Sequence, residues 1–271
     1  DARGRGFLLG ATFGRTTLNG EGLQHQDGHS HLLASTVPTL RAYDPAFAFE
    51  IAVIIQDGLR RMFAEHEDCY YYITIQNENY AMPAMPEGAA DGILKGLYLF
   101  RKSTLAKGIK AQIFGSGSIM TCALAAQALL AEKFGVSADV WSATSYLNLR
   151  REALEAERWS LLHPESAPRV PLVQQLLKGA EGPIVSASDS MKAVPDQIAR
   201  WVPQMYALGT DGFGRSDTRG ALRRHFEIDA ESIAVAVLSQ LSRRGLVKPA
   251  VVTKAIAEFG LDPEKADPRV L

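Results

Sequence analysis

The chain has 271 residues, 46% hydrophobic and 22% charged, an ordinary globular mixture too long for one typical domain and pointing to two modules or one module with part of another. Its formal net charge is −1, with Lys and Arg scattered among Asp and Glu, which leaves no electrostatic footprint for nucleic acid or an acidic membrane. No apolar run approaches the roughly 20 residues that span a bilayer, and the two isolated cysteines, Cys69 and Cys122, indicate neither a zinc pair nor a disulfide framework, so a soluble protein of a reducing cytoplasm with both thiols in its core is expected.

The first residues, Asp1-Ala-Arg-Gly-Arg5, carry no initiator Met, signal core or helix cap ahead of Phe7-Leu8-Leu9, and read as a chain that begins mid-protein. Phe47, Ile51, Ile54, Ile55, Leu59 and Met62 recur every three or four residues, which predicts an amphipathic helix over 44–65 with Pro45 in its first turn. Tyr70 to Ile75 is aromatic and β-branched, the pattern of a buried strand. Two prolines among the polar residues of 77–88 interrupt regular structure there, and a domain boundary is expected near Glu87.

Beyond about Lys110, short apolar runs alternate with helical stretches. Strands are predicted over 111–114, 139–143, 184–187 and 205–208, and helices over 118–134, 149–162 and 190–202, the last interrupted near Pro195. Three helices over 217–226, 229–244 and 249–259 close the chain, with Asp217 and Asp229 suited to cap the first two. Strands joined by helical crossovers predict an α/β fold whose mostly parallel sheet is covered on both faces. Trp141, Trp159 and Trp201 fall on these elements and are expected in the core.

The densest polar cluster is Asn19 to His31, where three of the chain's six histidines fall within seven residues beside Glu21 and Asp27 and among three glycines. Glycine permits a tight loop that aims imidazoles and carboxylates into one pocket, and Glu21 with His25 has the makings of an acid/base pair. Composition supports an inert polar surface loop equally well. A zinc site from His25, Asp27, His29 and His31 has suitable donors but none of the well-marked zinc spacings. Gly115 to Ser118, between a strand and a helix, could cradle an anion, yet it lacks the third Gly of a dinucleotide fingerprint and the Lys of a P-loop, so a tight turn is the simpler reading. In Gly209 to Asp217, Arg215 lies between Asp211 and Asp217, which suggests a turn fixed by a local ion pair.

Gly14-Arg-Thr-Thr-Leu-Asn-Gly-Glu-Gly-Leu-Gln-His-Gln-Asp-Gly-His-Ser-His31 resembles the decarboxylating component of pyruvate dehydrogenase complexes, in its homodimeric bacterial form. Tyr70-Tyr-Tyr-Ile-Thr, Asn77-Glu-Asn-Tyr, Met82-Pro-Ala-Met-Pro-Glu-Gly88, Glu157-Arg-Trp, Leu162-His-Pro and the Gly209 to Asp217 loop resemble the same family in the same order, so the likeness covers essentially the whole chain. It implies a thiamine diphosphate enzyme of the transketolase-like group. Residues 1–87 would be the end of the middle, pyrimidine-binding domain, and 88–271 a transketolase-like C-terminal domain with three α/β/α layers.

The implied reaction is decarboxylation of pyruvate and transfer of the two-carbon fragment to the lipoyl group of dihydrolipoamide acetyltransferase, by a cytoplasmic homodimer. Glu21 and His25 match active-centre residues of the family, whereas His29 and His31 receive no direct role. The family's Gly-Asp-Gly motif for the diphosphate and Mg2+ is not present, since Asp211-Gly212 follows Thr210. The cofactor would be bound mainly by residues outside this chain, and the chain alone is expected to be inactive. A transketolase, a 2-oxoglutarate decarboxylating subunit, and a non-catalytic module for dimerisation or anion binding at Gly115 to Ser118 are the rival readings.

Overall fold

A computed structural model describes residues 3–271. Two sheets organise it. The first joins β1 (Phe7–Ala11), β2 (Leu40–Tyr43) and β3 (Tyr70–Ile75) in parallel, in the order β1-β3-β2. Side chains of β3 alternate between faces, as a strand requires. Tyr71 and Ile73 pack with Ile54 and Met62 beneath helix α2 (Ala48–Leu59), and with Ile93 of α3 (Ala89–Lys95). Thr74 meets His31 of the short α1 (Ser30–Ser35).

The second sheet has β4 (Tyr98–Arg101), β5 (Ile109–Gly115), β6 (Val136–Ser142), β7 (Ile184–Ala187) and β8 (Tyr206–Leu208) in the order β4-β6-β5-β7-β8, with only β4 antiparallel to its neighbour. On one face Ala111, Ile113, Val140 and Val185 bury against α4 (Met120–Phe134), α8 (Ala230–Arg243) and Ala255 of α9 (Pro249–Glu258). On the other, Phe114 and Trp141 pack with α5 (Tyr146–Leu162), Val173 of α6 (Leu172–Leu176), Ile198 and Trp201. This is the expected three-layer α/β/α arrangement around a mostly parallel sheet. Cys69 and Cys122 are both buried and free, in different clusters. No helix among the described residues is long and apolar enough to cross a membrane.

Several local expectations are corrected. The helix predicted over 44–65 begins only at Ala48 and ends in a wider turn, Arg60–Ala64. Pro45 therefore lies outside it, because the Glu50 carboxylate takes the N–H groups of Ala46 and Phe47 and sets the helix start after them. Residues 190–202 form turns with a single 3-10 segment, Pro195–Ile198, since Pro195 supplies no N–H to continue a helix. Thr218, not Asp217, caps α7 (Arg219–His225), its hydroxyl accepting the Ala221 N–H at 3.3 Å; Asp229 caps α8 as expected. Trp141 and Trp201 are core residues, but Trp159 is only half-buried, between the His163 ring and the Arg169 guanidinium.

The sheets meet at the ends where their parallel strands finish. Asp44, just past β2, donates its N–H to Thr144 O at 2.8 Å and accepts the Gly117 N–H at 3.2 Å. Glu50 ties the same halves together: fully buried, it accepts from Ala46 N (2.5 Å), Phe47 N (3.1 Å), Tyr98 Oη (2.6 Å) and Ser142 Oγ (2.7 Å). Burial pushes its pKa up against these four donors. Replacing it (Glu50→Ala) strands two hydroxyls and two amides in the interior, and is expected to lower the free energy of unfolding by roughly 3 kcal/mol. Urea denaturation reads this as a lower midpoint; an unchanged midpoint would show that the tie contributes nothing.

Candidate active site

The polar loop starts where β1 stops. The Phe13 N–H still donates to Ile75 O at 2.9 Å, and the chain then leaves the sheet at Gly14. A Cβ at Gly14 would lie 2.4 Å from Asp189 Oδ2, and its φ of +102° already favours glycine. Gly14 and Asp27 form an antiparallel bridge that closes the loop at its base. Inside it, Leu23–His25 makes a 3-10 turn, and Asp27 Oδ1 accepts the N–H groups of His29 (3.0 Å) and Ser30 (3.1 Å) to open α1.

Glu21 and His25 come together on this loop. Their Oε2 and Nε2 atoms are 4.0 Å apart, and both line a cleft of about 460 Å³ with Leu9 to Phe13, Leu18, Asp27 and Tyr72. Their side chains are 49% and 61% exposed, and neither hydrogen-bonds to another described residue. A carboxyl and an imidazole in this relation can exchange a proton with a bound molecule without first breaking an internal bond.

The other histidines turn elsewhere. His31 is buried with Nε2 3.2 Å from Thr74 Oγ1 and its ring between Phe13 and Tyr72, and burial lowers its pKa, which favours the neutral ring. His29 Nδ1 lies 3.3 Å from Arg15 Nη2. Arginine only donates, so Nδ1 accepts and the ring proton sits on Nε2. The zinc arrangement is therefore not formed: among the described residues no three His, Cys, Asp or Glu side chains converge as a ligand set.

Contacts that sequence reasoning passed over hold the loop from the other sheet. Asp189, just past β7, accepts from Arg15 N (2.9 Å), Thr16 N (3.2 Å) and Thr16 Oγ1 (2.7 Å). Arg15, itself buried, donates to Thr210 O just past β8. The Gln26 amide pairs with the backbone of Arg215, Asn19 Oδ1 accepts the Arg219 N–H at 2.8 Å, and the Gly20 N–H donates to Asp217 O at 3.0 Å. The position of Asp189 and Thr210 at the carboxyl ends of parallel strands was the available signal, because functional loops of α/β sheets gather there.

Two loop expectations change or sharpen accordingly. Arg215 makes no ion pair with Asp211 or Asp217 among the described residues; Gln26 fixes that loop, and Asp211 faces Lys192 at 3.9 Å. The Gly115 to Ser118 turn is packed rather than open: a Cβ on Gly117 would lie 2.7 Å from both Asp44 Oδ1 and Gln76 Nε2. A larger groove of about 740 Å³ runs past Arg41, Asp57, Arg61 and Glu67, but its charges pair with one another, Arg41 and Arg61 each at 2.7 Å from Glu67.

Burial pushes the Asp189 carboxyl up to about 7, outweighing the three donors and Arg223, which favour its charge. A raised carboxyl pKa means the folded form keeps a proton that the unfolded chain releases from about pH 4 upward, so stability is lost as pH rises toward about 7. Asp189→Asn should make the urea midpoint fall less steeply between about pH 4 and 7 than in the unaltered chain. Equal slopes would mean that Asp189 is ionised throughout.

Two family models match the chain, the pyruvate dehydrogenase E1 component middle domain over residues 1–83 and the transketolase-like C-terminal domain over residues 96–229. The pyruvate dehydrogenase E1 component of Pseudomonas aeruginosa is 51% identical over 270 residues, 99% of this chain and 31% of that one. That of Escherichia coli is 51% identical over 273 residues, 100% of this chain and 30% of its own. The chain thus spans about 30% of the length of the curated relatives it matches. Among solved structures, transketolase from Leishmania mexicana superposes with a TM-score of 0.59 at 18% identity, over 86% of this chain and 30% of that one, which shows the shared fold. Half-identity along the full length, with both models in order, means that the chain belongs to the pyruvate dehydrogenase E1 component family.

Proposed function

We propose that this chain serves in the decarboxylation of pyruvate and the reductive acetylation of a lipoyl group on dihydrolipoamide acetyltransferase, within a cytoplasmic homodimeric enzyme. The observation that carries the reading is the Glu21–His25 pair, unencumbered and facing one cleft, on a string that resembles the family. Residues 1–87 are proposed as the end of the middle domain and 88–271 as the C-terminal domain. Strands ending by Ile75 in one sheet and starting at Tyr98 in another support that division.

The surroundings of Asp211 and Gly212 support placing the thiamine diphosphate and Mg2+ site mainly outside this chain. Asp211 faces Lys192, the neighbouring Gly212 abuts the backbone of Pro268, and no three ligating side chains converge. We therefore assign the cofactor mainly to polypeptide outside this chain, where it would supply the electron sink for carbon–carbon cleavage. The role left to this chain is local. His25 would meet the carbonyl oxygen of pyruvate as negative charge develops there, and Glu21 would exchange a proton with the bound molecule.

In an enzyme of full family length, Glu21→Ala and His25→Ala should each lower kcat on pyruvate by roughly 100-fold with little change in Tm, because neither side chain supports the fold. Unchanged turnover would assign the loop to a non-catalytic module, and a higher kcat/KM for 2-oxoglutarate or sugar phosphates would assign a different substrate. For the 271-residue chain alone, calorimetric titration with thiamine diphosphate and Mg2+ is expected to show no micromolar binding. Such binding would overturn the division of labour proposed here.

A further inference from the structure

We infer that Gln26 is a positioning residue that sets where His25 and Glu21 stand, by clasping the second half of the molecule. The inference rests on the catalytic reading of those two residues. Gln26 is only 6% exposed and does not line the cleft. Its Nε2 donates to Arg215 O at 2.6 Å, and its Oε1 accepts the Arg215 N–H at 2.8 Å. Two antiparallel bonds to one residue fix rotation as well as distance, as a ladder rung does between strands.

The clasp acts directly on the turn that presents His25. The Gln26 N–H closes that turn onto Leu23 O at 3.3 Å, and the His25 N–H bonds Gly22 O at 3.0 Å. From the other side, a Cβ on Gly214 would lie 2.5 Å from Gln26 Oε1 and 3.1 Å from Leu23 Cα, so the turn is seated against bare backbone. The His25 and Glu21 side chains have no hydrogen-bond partner among the described residues. Their positions are therefore inherited from the backbone, and the backbone next to His25 is held by Gln26.

The chemistry of the clasp is specific to glutamine. Arg215 offers one donor and one acceptor, and only a side chain with both, at this reach, satisfies the two. Glutamate would set a carboxylate oxygen against the Arg215 carbonyl, except where it is protonated and donates in its turn. The second half of the chain thus contributes to the reaction without placing a group on the substrate.

The test uses Gln26→Ala, Gln26→Glu and Gly214→Ala in the enzyme of full family length, reading kcat and KM for pyruvate, Tm, and amide hydrogen exchange of residues 19–25. Expected are a fall in kcat of about 10-fold or more from misplacement, KM within about twofold, faster exchange across 19–25, and Gln26→Glu recovering relative to the unaltered enzyme as pH falls. Exchange that stays the same in every folded variant overturns the clasp, whatever the turnover. So does unchanged kcat in the Gln26 variants when Glu21→Ala is crippled. If Glu21→Ala and His25→Ala keep full turnover, the catalytic reading falls, and with it the role assigned to Gln26, even where exchange shows the clasp itself. Should Gln26→Ala fail to fold, Gly214→Ala, which crowds the clasp from the opposite side, carries the same expectations.

Discussion

A parallel sheet and a mostly parallel one face each other with the ends where their parallel strands finish, and the rest of the molecule follows from that meeting. Such ends carry unpaired backbone groups, and burying them demands partners. The chain supplies acidic residues from one half for donors in the other. Glu50 takes hydroxyls from Tyr98 and Ser142, and Asp189 takes the amides of Arg15 and Thr16. Asp44 bonds across the same seam through its backbone. Among the described residues, neither the Glu50 nor the Asp189 carboxyl is held by a bidentate cation. Each is held by several neutral donors, an arrangement that trades strength for directional control.

That seam divides the polar residues into two kinds. Those that join the halves are buried and bonded, so their geometry is fixed and they have nothing left to offer a ligand. Glu21 and His25 are the complement: exposed, close to one another, and unbonded to the rest of the described chain. A loop can carry such a pair only if something else fixes its backbone. Here the anchors lie at both feet, Arg15 and Thr16 on Asp189 and Gln26 on Arg215, with Asn19 and Gly20 bonded to Arg219 and Asp217 between them.

Much of the second sheet was legible in sequence because its strands are apolar runs and its helices carry regular apolar spacing. The edge strand β1 was not, since Leu8 and Leu9 are exposed and give no alternation. The stretch 190–202 was misread because Ile198, Trp201 and Val202 bury at helical spacing without a helical backbone, their place being set by α5, where Glu157 accepts the Trp201 indole N–H at 2.8 Å. For the loop, composition left chemistry and inert surface level, and the family likeness singled out Glu21 and His25. What the structure adds is that they share one cleft while His29 and His31 point away.

The pairing of the anchors was hidden for a reason that is physical. Arg15 and Asp189 are 174 residues apart, and Gln26 and Arg215 are 189 apart, so no local window contains both partners of either contact. Nor do the residue types announce the contact: a buried glutamine bonding backbone looks, in sequence, like any polar loop residue. Besides the place of Asp189 at a strand's carboxyl end, the trace is the glycine opposite each one. Gly14 is shaped by Asp189 and Gly214 by Gln26, each leaving room for a side chain that arrives from the far half. In a loop this rich in glycine, the informative question is which side chain fills the space each glycine leaves. At these two positions the answer is a group that holds the loop in place.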